Sequence, residues 1–481
     1  MKYRAFHVAA TGALWAIVMA ALGCGSGPLT GGNGLGGGTN SGGNNGGAIA
    51  GNATTATLVN VGDFGYVPEA SAPSVDRIVS FQLTIDSVTL HSSGRDVQWL
   101  SSPRRLELSR LSSRFEPLLL RNVPQGDYSA VVIGVSEPLI SYIDPSGGLH
   151  ENVAGTLTSS SETLNVQLSI GATPTIFSLV PLADSVSFGA NTIVVTPRFS
   201  LNWPASSVEI EDLVGSATNV GSNSFAVYGI GTANANGTFN FTTDSNTEFQ
   251  GVIGVGGLAT GAIVSVSARP KSDASLLATK VKLEHKDPSF GLVMEGTLLY
   301  VAPGRFQMLV RQFSGGGAPW PAVGRALSLD ANAATQFRID RDNVDLENLD
   351  FTPSFGATNM ALGQNVRAAT TGSDIALSTP FIAKQLTLEK LSLDGIAGAP
   401  TAGSAPGQFT FTLELSADSA FAHLTGHTSV PVILQPSTKM FTFSLGDGCV
   451  TCITGQPVRV RGLLFFTDGQ YRLVAELLAE N

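Results

Sequence analysis

From Leu58 to the C-terminus the chain alternates apolar and polar residues with a period of two, in runs broken by Gly, Pro, Asn, Asp and Ser. That period puts successive side chains on opposite faces of a strand, so it predicts short β-strands joined by turns. IVSFQLTIDSVTLH is the clearest run: Val79, Phe81, Leu83 and Ile85 share a face, the phase slips at Asp86-Ser87, and Val88 and Leu90 resume it. Such a slip predicts a β-bulge or a bend between two strands. Ser93-Gly94 turns the chain into Val97 to Leu100, which includes Trp99, and Arg104 to Leu108 reads as the next short strand. In NVPQGDYSAVVIGV, Pro124 to Asp127 carry turn chemistry, and Tyr128, Ala130, Val132 and Gly134 fall on one face of the strand that follows. LNVQLSI at 164–170 and NTIVVTPRFSLNW at 191–203 bring the set to seven or eight strands. With no helical pattern between them, residues 57–205 are expected to form an antiparallel β-sandwich.

After residue 206 the pattern recurs three times, over 206–290, 291–391 and 392–481. Each unit opens on a glycine-containing strand (DLVGSATNV, VMEGTLLYV, LDGIAGAPT) followed by a phenylalanine-centred one (NSFAVYG, GRFQMLV, GQFTFTLEL). A Thr-x-hydrophobic step follows at Thr247, Thr335 and Thr438, then a Gly-x-x-Val strand (GAIVSV, GQNVRA, GQPVRV) and a closing strand (LLATKVKLE, FIAKQLTLE, YRLVAELLAE). Aligning Gly261 to Lys280, Gly363 to Lys384 and Gly455 to Val474 gives nearly constant spacings of 19, 21 and 19. Units of about five strands are barrel-sized, so the expectation is three small β-barrel-like modules in an all-β protein.

These residues carry two family resemblances. VSFQLTIDSVTLH, the Trp99 strand, RLELSRL, VPQGDYSAVVIGV and VVTPRFSL resemble the bacterial domain of unknown function 4382, across about 150 residues of the chain. The repeated units resemble domain of unknown function 5666, a small β-barrel-like module often found in tandem on bacterial exported proteins. Both resemblances imply fold alone, since neither family brings an assigned active site.

The N-terminus changes the setting. Lys2 and Arg4 precede an uncharged apolar run from Val8 to Leu22, so residues 1–23 read as a secretory leader, too short to span a bilayer. The ending resembles a bacterial lipoprotein signal, which implies cleavage after Gly23 and acylation of Cys24, although Ala21 stands where leucine is usual. A plain export signal cut near Ala21 is the alternative. Gly25, in place of the aspartate associated with inner-membrane retention, points to the outer membrane. Residues 25–56 hold thirteen glycines and no charge, so residues 24–56 are expected to be a lipidated cysteine and a disordered tether.

Charge then narrows the partners. The chain of 481 residues has 27 basic and 37 acidic residues, a net charge of −10, or −12 without Lys2 and Arg4. Such a chain has no general attraction for phosphate backbones, and nucleic acid is not an expected partner.

Candidate chemistry is sparse. GDGCVTCITG places Cys449 and Cys452 as a pair that reads as a disulfide, a redox dithiol or half of a zinc site. The zinc reading adds His423 and His427 upstream. An exported chain with strand-and-turn flanks favours the disulfide. Asp340, Asp342, Asp345, Glu347 and Asp350 form an acidic run that reads as a solvated loop or a calcium loop lacking the EF-hand pattern. Arg104, Arg105, Arg110 and Arg114 form a basic cluster, either a charged strand edge or a contact for lipid headgroups or acidic glycans. Trp203 and Trp320 are candidates for stacking on sugars or for packing. No nucleophile elbow, zinc-protease motif or P-loop occurs, and no spacing around His150 makes a triad. The expectation is a lipid-anchored envelope protein with a non-catalytic binding, adhesive or scaffolding role toward an envelope glycan or protein, and no cofactor. An envelope glycan-acting enzyme and a metal-binding module are the alternatives.

Overall fold

The computed structural model describes residues 53–62, 77–100, 102–109, 115–173, 175–182, 185–189, 192–202, 210–228, 238–271, 275–285, 292–314, 323–370, 380–441 and 449–480. Cys24, the leader, most of the tether, Arg110, Arg114, Trp203 and Trp320 lie outside these residues. The described residues are mostly strand, with a single short α-helix among them, Ala420–Thr425, capped by Ser419 and ended by Gly426 in the left-handed region.

Two sheets form the N-terminal sandwich. In the larger one, Ile78–Ser92 pairs antiparallel with Gly126–Ile143. Arg95–Leu100 and Arg104–Glu107 add to the free edge of the former, and Leu149–Ala154 and Ser161–Ile170 to the free edge of the latter. The predicted slip is real: Ile78–Ser92 is one strand whose register against Gly126–Ile143 shifts between Ile85 and Ser87. The second sheet orders Phe199–Asn202, Thr175–Pro181, Thr54–Gly62 and Phe115–Pro124. Here Thr54–Gly62 runs parallel to Thr175–Pro181, so the sandwich is not wholly antiparallel, and its first strand takes up the last residues assigned to the tether. Both inner faces meet in a core containing Phe81, Trp99 and Phe177, the last two edge-to-face at 5.2 Å.

One face assignment needs correction. Tyr128 is buried, but Val131, Ile133 and Val135, not Ala130, Val132 and Gly134, continue its face. An irregularity in the pairing with Ser161–Ile170 sets Asn165 to Leu168 opposite Tyr128 to Ala130, so the extra residue lies in the partner strand and the faces of Gly126–Ile143 change parity there.

The three repeated units share one pairing scheme. In the first, Ile210–Thr218 lies between Ser224–Tyr228 and Ile263–Pro270, and Phe239–Thr242 pairs with Ser224–Tyr228 and, in parallel, with Leu276–His285. Leu276–His285 also pairs with Ile263–Pro270, which closes a barrel-like circuit, and Glu248–Gln250 adds to it in parallel. The second unit repeats this with Leu292–Ala302, Arg305–Ser314, Ala326–Asp330, Gln336–Ile339, Asn365–Thr370 and the start of Gln385–Ala397, with Phe381–Ile382 making the parallel contact. The third opens on the second half of Gln385–Ala397 and continues through Phe409–Glu414, Ser429–Phe441, Pro457–Thr467 and Gln470–Glu480. A single strand therefore closes one module and opens the next.

The repeated sequence signals have repeated causes. Gly261, Gly363 and Gly455 all have φ between 75° and 90°, a region costly for any residue with a Cβ. Their N–H groups donate to the carbonyls of Ala217, Leu298 and Ala397 at 2.7–2.8 Å. The threonine hydroxyls of Thr247, Thr335 and Thr438 donate to the carbonyls of Ala278, Ala383 and Ala475 at 2.7, 2.7 and 2.9 Å. Each also accepts a backbone N–H three residues back, from Asp244, Asn332 and Gln435. The parallel register then pairs the residue after each threonine with Lys280, Gln385 and Leu477. These are the equivalent positions, so the sequence alignment of Lys280, Lys384 and Val474 is out of step in the second and third units.

The second module is the keystone. Its Val293 and Ala369 pack on Val214 and Ile263 of the first, and its Leu309 packs with Val79 and Ile143 of the sandwich. The sandwich also reaches it through hydrogen bonds: Gln82 Nε2 donates to the Val323 carbonyl at 3.1 Å and Ser141 Oγ to that of Gly324 at 2.6 Å.

Candidate functional site

The densest chemistry in the described residues lies where the closing strand of the first module crosses the outside of the second. In KVKLEH, Val281 and Leu283 belong to the first module's core, so Lys280, Lys282 and Glu284 project outward. On the second module Met294, Val366, Ala368 and Leu388 point inward, which turns Glu295, Arg367 and Glu389 outward toward those lysines and Glu284. Asp340 follows the short strand Gln336–Ile339 and donates its N–H to the Leu388 carbonyl at 3.0 Å, which fixes its carboxylate beside the same face.

Arg367 is the centre of the cluster. Its guanidinium lies 3.2 Å from Glu284, 3.3 Å from Glu389 and 3.6 Å from Glu295. Lys282 Nζ reaches Glu284 at 3.2 Å, Asp340 at 3.0 Å and Asp342 at 2.8 Å. Lys280 adds a contact to Asp342 at 3.7 Å, and Lys390, almost wholly buried, meets Asp340 at 3.4 Å. Four cations thus face five carboxylates, with Arg367 only 5% and Glu389 only 2% exposed.

That imbalance sets the protonation states. Burial drives the Glu389 carboxyl well above the ordinary carboxylate range; Arg367 opposes this, but Asp340, Glu295 and Glu284 add to it. Its Oε1 has no hydrogen-bond partner among the described residues. Burial would also raise Asp340, yet Lys390, Lys282 and Arg367 together hold it well below its usual value. Burial works against charge on Lys282 and Arg367, but the surrounding carboxylates keep both more basic than in water. A cluster of this kind in an open cleft would be read as acid–base machinery. Here Lys280, Lys282 and Glu284 of the first module meet Asp342, Asp340 and Arg367 of the second, and the chemistry the cluster performs best is docking.

The sequence carries one part of this cluster, a cross-strand acid–arginine pair that recurs between modules. Arg367 sits immediately after the valine of GQNVRA and pairs directly across from Glu295, the residue before Gly296. The third module repeats the arrangement: Arg459 follows the valine of GQPVRV and makes two hydrogen bonds to Asp394, at 2.7 and 2.9 Å. The first module has Ser265 and Val214 in these places and supplies its charges from the closing strand instead.

The other sequence candidates separate. Cys449 and Cys452 are joined in a disulfide around a 3₁₀ turn, Val450–Ile453. His423 lies 3.8 Å from Asp418, and the His427 ring meets Tyr471 edge-on at 5.1 Å. Of the acidic run, Asp340 and Asp342 face lysines, while Asp345 accepts the Glu347 N–H at 2.8 Å. Among the described residues no group of three or more His, Cys, Asp or Glu is placed to hold a metal ion. His150 pairs with Asp144 at 2.9 Å and stacks on Tyr142. Of the arginine cluster, Arg105 pairs with Glu137 at 2.9 Å.

Residues 214–282, most of the first module, match the family described as a domain of unknown function (DUF5666). No curated protein matches the chain.

Proposed function

We propose that the chain is a lipid-anchored protein of the bacterial cell envelope, held at the outer membrane, whose folded part is a non-catalytic scaffold or binding surface. The observation that carries this reading is the ionic junction, in which the strongest charged groups tie one module to the next. The strand shared by the second and third modules supports it too, since it leaves no flexible linker between them. A stiff array of β-modules on a glycine-rich tether is suited to presenting a surface at a distance from a membrane. In this reading the sandwich belongs to the domain of unknown function 4382 type, all three repeated units are DUF5666-type barrels, and Cys24 carries the acyl chains. The partner is an envelope glycan or protein.

Metabolic palmitate labelling of wild type and Cys24→Ser in a bacterial host tests the anchor. Label in the wild type alone, with the protein in the outer-membrane fraction, is the expected result; equal labelling of both ends the lipoprotein reading. Retention of the full chain by isolated envelope glycans or proteins tests the binding role, and retention by neither class removes it.

A further inference from the structure

The arginine cluster of the first domain does not act as a unit. Arg105 lies on the outer face of its sheet and has Glu137 as partner. Arg104 lies on the other face: it stands directly across from Ile85, as Leu106 does from Leu83, and both of those residues belong to the sandwich core. Its Nε and Nη1 are sealed from solvent, and neither meets an acceptor among the described residues. Burial lowers the basicity of this guanidinium, with no carboxylate acting against it.

Trp99 shares the feature. It sits at an irregularity in the pairing of Arg95–Leu100 with Ile78–Ser92, between the partners of Val88 and Thr89, and the extra residue turns both Trp99 and Leu100 into the core. Its indole Nε1–H is buried and has no acceptor among the described residues. Trp99 and Arg104 therefore follow one another along the same edge of Ile78–Ser92, about 10 Å apart by strand rise. Three sealed donor nitrogens, two of them on a cation, face the interior without an acceptor among the described residues. Native proteins pair nearly all such groups, and a guanidinium without a carboxylate is the protein group best matched to an oxyanion.

We propose that the Trp99–Arg104 end of the sandwich binds a ligand through an oxyanion, a carboxylate or a phosphate, with Arg104 supplying the charge and Trp99 an additional donor. The site does not depend on the envelope reading, because anion binding is measured on the purified chain wherever it resides in the cell.

Isothermal titration of the full chain in detergent, at constant ionic strength, with inorganic phosphate, glycerol 3-phosphate and glucuronate tests it, with glucose as the neutral control. The phosphate and uronate arms distinguish a headgroup-like from an acidic-sugar source. At least one anion is expected to bind and glucose is not. Arg104→Met should weaken that binding by about tenfold to a hundredfold, the range for losing a charge-assisted hydrogen bond. Trp99→Phe should weaken it less. Without ligand, Arg104→Met should melt no lower than wild type, because the group removed has no internal partner. Absence of anion binding in the wild type overturns the proposal. So does equal affinity in Arg104→Met, or a clear fall in its unliganded melting temperature.

Discussion

Replacing Arg367 with methionine removes the guanidinium from the centre of the module junction while keeping most of the apolar stem. The guanidinium has carboxylates of Glu284, Glu389 and Glu295 at 3.2, 3.3 and 3.6 Å, and it is almost completely buried. Breaking one buried ion pair by deleting a partner costs about 3–5 kcal/mol, chiefly because the remaining charge has neither water nor a counterion. Three acids share this cation, so the loss near neutral pH is expected at the upper end of that range. It should shrink as the pH falls through the carboxylate range, where protonation removes the stranded charges. Adding Glu389→Gln takes away one of the acids that Arg367 balances, so the double variant should lose less than the sum of the single effects, by about 1 kcal/mol or more. A chain of this size need not unfold in one step, so the measurement is native-state hydrogen exchange resolved to Ile263–Pro270 and Asn365–Thr370, the strands on either side of the joint. A loss below about 1 kcal/mol, a loss independent of pH, or additivity within about 0.5 kcal/mol would refute the claim that the cluster holds the modules together.

Glu389→Gln alone should stabilise the protein above about pH 4.5. A carboxyl whose folded-state pKa is raised binds its proton more tightly in the folded chain, so wild-type stability falls as pH rises through the interval above 4.5, by up to about 1.4 kcal/mol per unit, and glutamine removes that dependence. A variant-to-wild-type difference that stays flat in urea unfolding across that interval would contradict the assignment. Thr335→Val should cost about 1–3 kcal/mol, because it strands the buried Ala383 carbonyl and the Asn332 N–H, and the more exposed Thr247→Val should cost less. Thermal unfolding of the two variants gives the comparison, and equal effects would argue against burial as the cause. Gly296→Ala should be more harmful than Gly455→Ala: a Cβ at Gly296 runs into the Leu309 carbonyl, whereas one at Gly455 meets open space and only the strain of a positive φ, about 1–2 kcal/mol. Soluble yield and melting temperature report the order, and the reverse order would mean that the close approach of the strands is not a constraint.

The repeats show how far the pattern could be read. Glycine, threonine and valine recur in each module because each meets a backbone demand set within its own strands: a left-handed turn, a carbonyl beside the closing strand that pairs with it in parallel, and a core position opposite a second glycine. Local demands of this kind leave the same residue at the same place. Lys280, Lys384 and Val474 fall out of step because the side chains of the closing strand answer to different neighbours in each module: Lys280 stands across from Glu248, whereas Val474 stands across from Ile433.

Bulges mark the next limit. The slip at Asp86-Ser87 was visible because apolar residues flank it on both sides. The one after Tyr128 was hidden in VVIGV, where either parity offers apolar residues, and only the partner strand decides which face is buried.

By itself, then, the sequence determined an all-β chain, a sandwich followed by three related modules, and the strands that build them, because a period of two and a handful of turn residues are properties of single strands. It also determined the leader-like start and the cysteine at position 24. The tertiary structure alone decided which charged faces leave water. Lys282, Glu284, Arg367 and Glu389 alternate with apolar residues as any solvated strand face does, and nothing in their own segments records that two such faces are pressed together. Arg104 and Arg105 are adjacent and chemically identical, yet one has an acid partner and the other faces the core without one. Period two reports that a strand has two sides; what lies against each is set by chain that arrives from elsewhere.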